Sequence, residues 1–181
     1  MRSNCRRLLM IAAALAAPAC ASSSPPPVKA AQAEQIACGD GVNPQEEVRL
    51  VEGVSVLHKE QLYTDVNSGI DGLMHLANGA LLVVVPPPAV TTEVMTRALR
   101  CHSARAVLGQ TDESRFPNDP YSLPDTWLDI KVVPASGPYA GNYAVTVSAD
   151  DIHKNIAVYQ RANAFAEAHA ASPEATPPSN L

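Results

Sequence analysis

The chain has 181 residues, 46% of them hydrophobic and only 4% aromatic, with 18 acidic against 13 basic residues and a net charge of −5. That length suits one domain of ordinary size with a buried core. An acidic surface without a basic, aromatic-interleaved stripe argues against nucleic acid as a partner, and so few rings leave little for a stacked-ring pocket, so no cofactor is expected.

The first residues must be set aside before a fold is read. Arg2, Arg6 and Arg7 form a positive opening, Leu8 to Ala17 is apolar but too short to span a bilayer as a mature helix, and Ala17-Pro18-Ala19-Cys20 follows. This resembles the lipobox of bacterial lipoproteins, with Ala17 where that family prefers Leu. The resemblance implies loss of residues 1–19, a diacyl group on Cys20 and, without Asp at positions 21 and 22, an outer-membrane anchor facing the periplasm. Ala17-x-Ala19 and Ala19-x-Ala21 also read as ordinary cleavage sites, and cutting there would give a secreted or periplasmic chain. With the leader gone, 10 basic residues face 18 acidic ones, a net −8.

Residues 20–37 are rich in Ala, Ser, Pro and Gln and predict a flexible, lipid-anchored linker, and 172–181 predict a disordered tail of similar composition. One α+β domain is expected over 38–171. On that resemblance Cys5 would leave with the leader and Cys20 would accept the lipid, so Cys38 and Cys101 would remain in an oxidising compartment and are the disulfide candidates.

Within the domain, residues 48–58 read as a strand from the alternation of Val54, Val56 and His58. Ser68-x-x-Asp71 resembles a capping box, with Ile70, Leu73, Met74 and Ala77 at helical spacing and Gly79 as the stop, which predicts a short helix. Ala80 to Val85 is an apolar run of strand length, ended by Pro86-Pro87-Pro88. Thr91 or Thr92 caps a helix that runs to about Leu108, where Gly109 ends it. A long polar connection leads to a hairpin, with Leu128, Ile130 and Val132 on one face and Tyr143, Val145 and Val147 on the return strand. A second capping-box pattern, Ser148-x-x-Asp151, opens a last helix whose apolar face holds Ile152, Ile156, Tyr159, Ala162 and Ala166, widened by Val158 and Phe165. Two main helices on one face of a small, mostly antiparallel sheet, a ferredoxin-like two-layer sandwich, satisfy this order.

Gly79 to Asp151 is similar to a group of uncharacterised Gram-negative envelope lipoproteins. The resemblance rests on the apolar strand, the Pro-then-Thr helix entry, Cys101-His102-Ser103-Ala104-Arg105 and the hairpin ending at Asp150-Asp151. It implies a fold and carries no activity.

Candidate chemistry concentrates on the helix after Thr92, where Cys101, His102 and Arg105 fall within one wide apolar face. Three readings stay open there. Cys101 bonds to Cys38 while His102 makes a buried hydrogen bond; or Cys101 is a free thiol activated by Arg97 and Arg105 four residues either side; or Cys101 or His102 recruits His58 or His75 to a metal. Adjacent helical residues point about 100° apart, which weakens the last reading. The sequence has no CxxC, HExxH or G-x-S-x-G motif. Asp112, Glu113, Asp119 and Asp125, with Asn118, read as a solvated loop, His153 and His169 as surface residues, and Trp127 as a core or rim anchor. The expectation is a non-catalytic, periplasm-facing lipoprotein that binds or scaffolds another envelope protein. The alternative is a redox- or metal-responsive protein built on Cys101 and His102.

Overall fold

A computed structural model describes residues 27–39, 44–67, 73–111 and 118–171. Residues 1–26 with Cys20, residues 40–43, Ser68 to Gly72, residues 112–117 with Asp112 and Glu113, and residues 172–181 lie outside the described residues.

Helix α1 spans Pro27–Cys38 and α2 spans Pro44–Glu52. Residues 27–37, expected as extended linker, are therefore helical. Proline suits the first turn, where no intrahelical partner is needed, and Ala, Gln and Glu are strong helix formers. Only Ala31 and Cys38 of α1 are buried, so attachment rather than an apolar stripe holds it in place. In α2, Glu47, Leu50 and Val51 are buried at helical spacing, which moves the start of the expected strand from Val48 to Ser55.

Strands β1 (Ser55–Asn67) and β2 (Leu73–Val85) form one long antiparallel hairpin. This corrects the short helix expected up to Gly79. Leu73, Met74 and Ala77 pair with Asn67, Val66 and Tyr63. Their spacing fits either period over so short a window, and a partner strand decides it. Gly79 is not a helix stop: its φ is +109°, and a Cβ there would lie 2.0 Å from the Val147 carbonyl oxygen. Only glycine fits this close approach.

After the prolines, α3 spans Thr92–Val107, with the Thr91 hydroxyl accepting from the Val94 amide at 3.3 Å and Glu93 in the first turn. The expected second hairpin is present as β3 (Leu128–Pro134) and β4 (Tyr143–Ala149). The last helix, α4 (Asn155–Ala168), begins later than expected, after a 3₁₀ turn over Ile152–Lys154. That turn changes the phase: Val158, Ala162, Phe165 and Ala166 are buried, whereas Ile152 and Ile156, expected on the apolar face, are exposed. Asn155 is buried and accepts from the Ala149 amide at 2.7 Å, tying the helix start to the end of β4.

The four strands form one antiparallel sheet in the order β1-β2-β4-β3. Leu82 and Val84 of β2, Ile130 of β3, and Val145 and Val147 of β4 meet Met95 and Leu99 of α3 and Val158 and Ala162 of α4 in a single core. Each large side chain so buried contributes about 1.5–3 kcal/mol. The chain is an α+β two-layer sandwich. Its ββαββα order is the cyclic order of a ferredoxin-like βαββαβ chain opened at another point, and the parallel bridge between Val56 and Ala170 brings the end of the domain back beside β1. Outside the two layers, α1 and α2 lie against α3.

Two regions stand out from this frame. The α1–α2–α3 side gathers the buried charges. At the opposite extreme, β4 pairs only with Ala80–Val84 of β2, so residues 63–67 and 73–77 form a two-stranded arm beyond the shared sheet.

Candidate functional site

Cys38 and Cys101 are joined by a disulfide that clips the end of α1 to the middle of α3. Of the three readings open for Cys101 this is the first, and it leaves no thiol there for Arg97 or Arg105 to activate. Arg97 instead donates to the Cys38 carbonyl at 2.6 Å, and Arg100 pairs with Glu34 at 2.7 Å. Both contacts fasten α1 to α3. They also line an open cleft of about 340 Å³ beside Thr92, Glu93 and Thr96, where each guanidinium is already engaged by α1.

Next to the disulfide, His102 is 1% exposed and points inward between two carboxylates. Its Nδ1 lies 3.0 Å from Glu47 of α2, and its Nε2 lies 2.5 Å from Asp119 of the connection after α3. Arg105, one turn further along α3, pairs with the other oxygen of Glu47. Asp119 also accepts from the Tyr121 amide at 2.9 Å. Glu47 and Asp119 are 3% and 2% exposed. Burial alone would lower the imidazole's proton affinity, but the hydrogen bonds to Asp119 and Glu47, reinforced by their charges, raise His102 to about 9. His102 is therefore a cation at neutral pH. With Arg105 it faces two carboxylates, and among the described residues two cationic side chains meet two acidic ones.

This arrangement sets what the cluster can do. A histidine acting as general base needs a free nitrogen facing a substrate, and here both nitrogens face carboxylates. What the cluster does is join α2, α3 and the Asp119 segment by charge-assisted bonds in a dry setting. Beside it, Ser103 Oγ and Tyr121 OH are buried without a hydrogen-bond partner among the described residues. Burial, and then the charge of Asp119, push the Tyr121 hydroxyl's pKa far up, so it is a neutral phenol.

The remaining sequence candidates do not join this site. His58 lies across from Val83 on β2, stacks on Tyr139 at 5.3 Å and sits 3.9 Å from Glu60. Leu82 and Val84 belong to the core on the helix side, so His58 is on the sheet's other face, with the sheet between it and His102. His75, expected on a helix, is on the arm and pairs with Asp65 at 2.5 Å. His169, expected on the surface, is half-buried and stacks on Phe165 at 4.0 Å. Asp119 is no part of a solvated acid loop, while Asp125 is exposed with φ +52°. Among the described residues no three His, Cys, Asp or Glu side chains are grouped to hold a metal ion.

Sequence reasoning placed Cys101, His102 and Arg105 on the core side, named Cys38 as the disulfide partner, and missed Glu47 altogether. Its signal was an acid in step with Leu50, Val51 and Val54, a buried stripe with one charge in it. Comparison with protein-family models, curated proteins and solved structures finds no match to the chain.

Proposed function

We propose that the chain is a non-catalytic binding or scaffolding module of the cell envelope, exported by its leader and held to the membrane through a lipid on Cys20. The observation that carries the binding reading is the β1–β2 arm. It leaves Tyr63 at 59%, Leu73 at 60%, Met74 at 42% and Val66 at 38% exposure on a ribbon with little of the domain behind it. Two strands alone are marginal in water, and large apolar side chains gathered at such a place mark a contact site. The polar cluster, by contrast, joins α2, α3 and the Asp119 segment to one another.

Export is supported by the leader-like sequence and by the disulfide, which belongs to an oxidising compartment. Among the described residues no helix is long and apolar enough to cross a membrane, so the proposed attachment rests on Cys20. Cys20→Ser should move the protein from the membrane fraction to the soluble fraction; an unchanged distribution rejects the lipid anchor.

The binding reading is tested with the full chain cross-linked in an envelope extract and compared with Y63S/L73S. The variant should keep the melting temperature of the parent and lose at least about tenfold of the specific cross-linked product, as expected when two apolar anchors leave an interface. Equal product from both proteins rejects the arm as the contact site.

A further inference from the structure

The outer edge of β1 is the natural continuation of the sheet. β1 is an end strand, and the one bridge on its outer side among the described residues is at Val56, where the segment after α4 returns. From His58 to Asn67 no described strand covers it. Bulges at Val56/His58 and Gln61/Tyr63 interrupt the first half of β1, a device that blunts strand edges. From Tyr63 to Asn67 the ladder with β2 is regular, and the residues are Tyr, Thr, Asp, Val and Asn, of which Tyr, Thr and Val favour strands.

Charge narrows what fits there. Between Glu60 and Thr96 the sequence contains no Lys or Arg. Lys59, just before, turns to α4 and bonds Glu167 at 3.2 Å. Glu60 and Asp65 lie along the edge with side chains 60% and 55% exposed, each beside a histidine of the hairpin, His58 at 3.9 Å and His75 at 2.5 Å, and each with a second carboxylate oxygen to offer a lysine or arginine. A second copy of the chain would set these acids near their own counterparts. A segment with Lys or Arg between its apolar residues would meet them with opposite charge.

Resting on the binding reading above, we infer that the His58–Asn67 edge of β1 takes up an extended, basic polypeptide segment as an added antiparallel or parallel strand. Main-chain hydrogen bonds would supply affinity; by strand alternation Tyr63 and Asp65 would meet the segment on one face of the sheet and Glu60 and Val66 on the other, so each face offers it one apolar contact and one carboxylate.

The test uses the full-length disulfide-bonded protein and three ten-residue peptides. One repeats Val-Thr-Lys-Lys so that both faces carry Lys, one carries Glu in place of Lys, and one is the Lys peptide N-methylated at alternate residues along one edge. Titration at low ionic strength should show the Lys peptide binding at least about tenfold tighter than the Glu peptide. N-methylation, which removes donors while keeping charge and composition, should cost at least about tenfold. E60K/D65K should reverse the Lys–Glu preference, with circular dichroism and melting temperature confirming the fold. Amide exchange should slow within residues 58–67.

Equal binding of Lys and Glu peptides, full binding of the N-methylated peptide, or no binding by any of them overturns the inference. So does concentration-dependent self-association that protects 58–67 without peptide, because the occupant is then a second copy. If cross-linking still depends on Tyr63 and Leu73 while no peptide binds, strand addition fails and the binding reading stands.

Discussion

The cluster around His102 and the arm formed by residues 63–67 and 73–77 handle exposure in opposite ways. In the cluster, groups that prefer water are taken out of it and answered by one another: His102 by Glu47 and Asp119, Glu47 also by Arg105. In the arm, groups that avoid water are left in it: Tyr63, Val66, Leu73 and Met74. A buried ionic network holds its elements in register, because losing one member strands the others. An exposed apolar ribbon adds little to the core, and the proposed contact would lie there. The cluster is therefore where substitution should damage folding, and the arm is where substitution should damage contact.

The largest effect is expected from His102→Leu. It leaves Glu47 and Asp119 buried with their shared cation gone, and denaturant unfolding should show a loss of about 3–5 kcal/mol. Adding Glu47→Gln and Asp119→Asn should recover at least about 1 kcal/mol of it, a non-additivity that separates a charge network from a packing role. Removing the disulfide by Cys38→Ser with Cys101→Ser should cost about 4 kcal/mol in the chain-entropy view, for cysteines 63 residues apart. Limited proteolysis of that variant should cut first within α1, whose own burial is slight.

Stability should also depend on pH with a definite sign. His102 is raised from 6.5 to about 9 in the folded chain. Its contribution is complete below pH 6.5, declines as pH rises and is lost through about pH 9, a window worth on the order of 3 kcal/mol. His102→Gln should flatten the melting-temperature profile across that window; an unchanged slope would assign it to another group. The smallest stability effect is expected in the arm, where Y63S/L73S should stay within about 0.5 kcal/mol of the parent by chemical unfolding.

Much of the fold was legible because its strands bury one face. Leu128, Ile130 and Val132 alternate with Asp129 and Lys131, and the structure buries the first set and exposes the second. Thr91 and Glu93 marked the start of α3 by capping chemistry that works locally. The misreadings share a cause: the deciding partner is distant in sequence. Leu73, Met74 and Ala77 suit a helix until β1 is placed beside them. Residues 27–37 read as tether because they carry no stripe, and it is Cys101, Arg97 and Arg100, more than fifty residues on, that fix the helix. Half of the cluster was visible for a similar reason. His102 and Arg105 share a helix whose phase could be read, whereas Glu47 and Asp119 reach them from two other segments, 55 and 17 residues away.

Amide hydrogen exchange of the intact, oxidised chain tests the contrast between the two regions most directly, since it follows both in one sample. Amides of α3 around His102 and of α2 around Glu47 should exchange only with global unfolding, while those of 63–67 and 73–77 should exchange much faster through local opening. An arm protected as strongly as α3, or an α2 that exchanges freely beside a protected arm, would contradict the assignment of the cluster to folding and of the arm to contact.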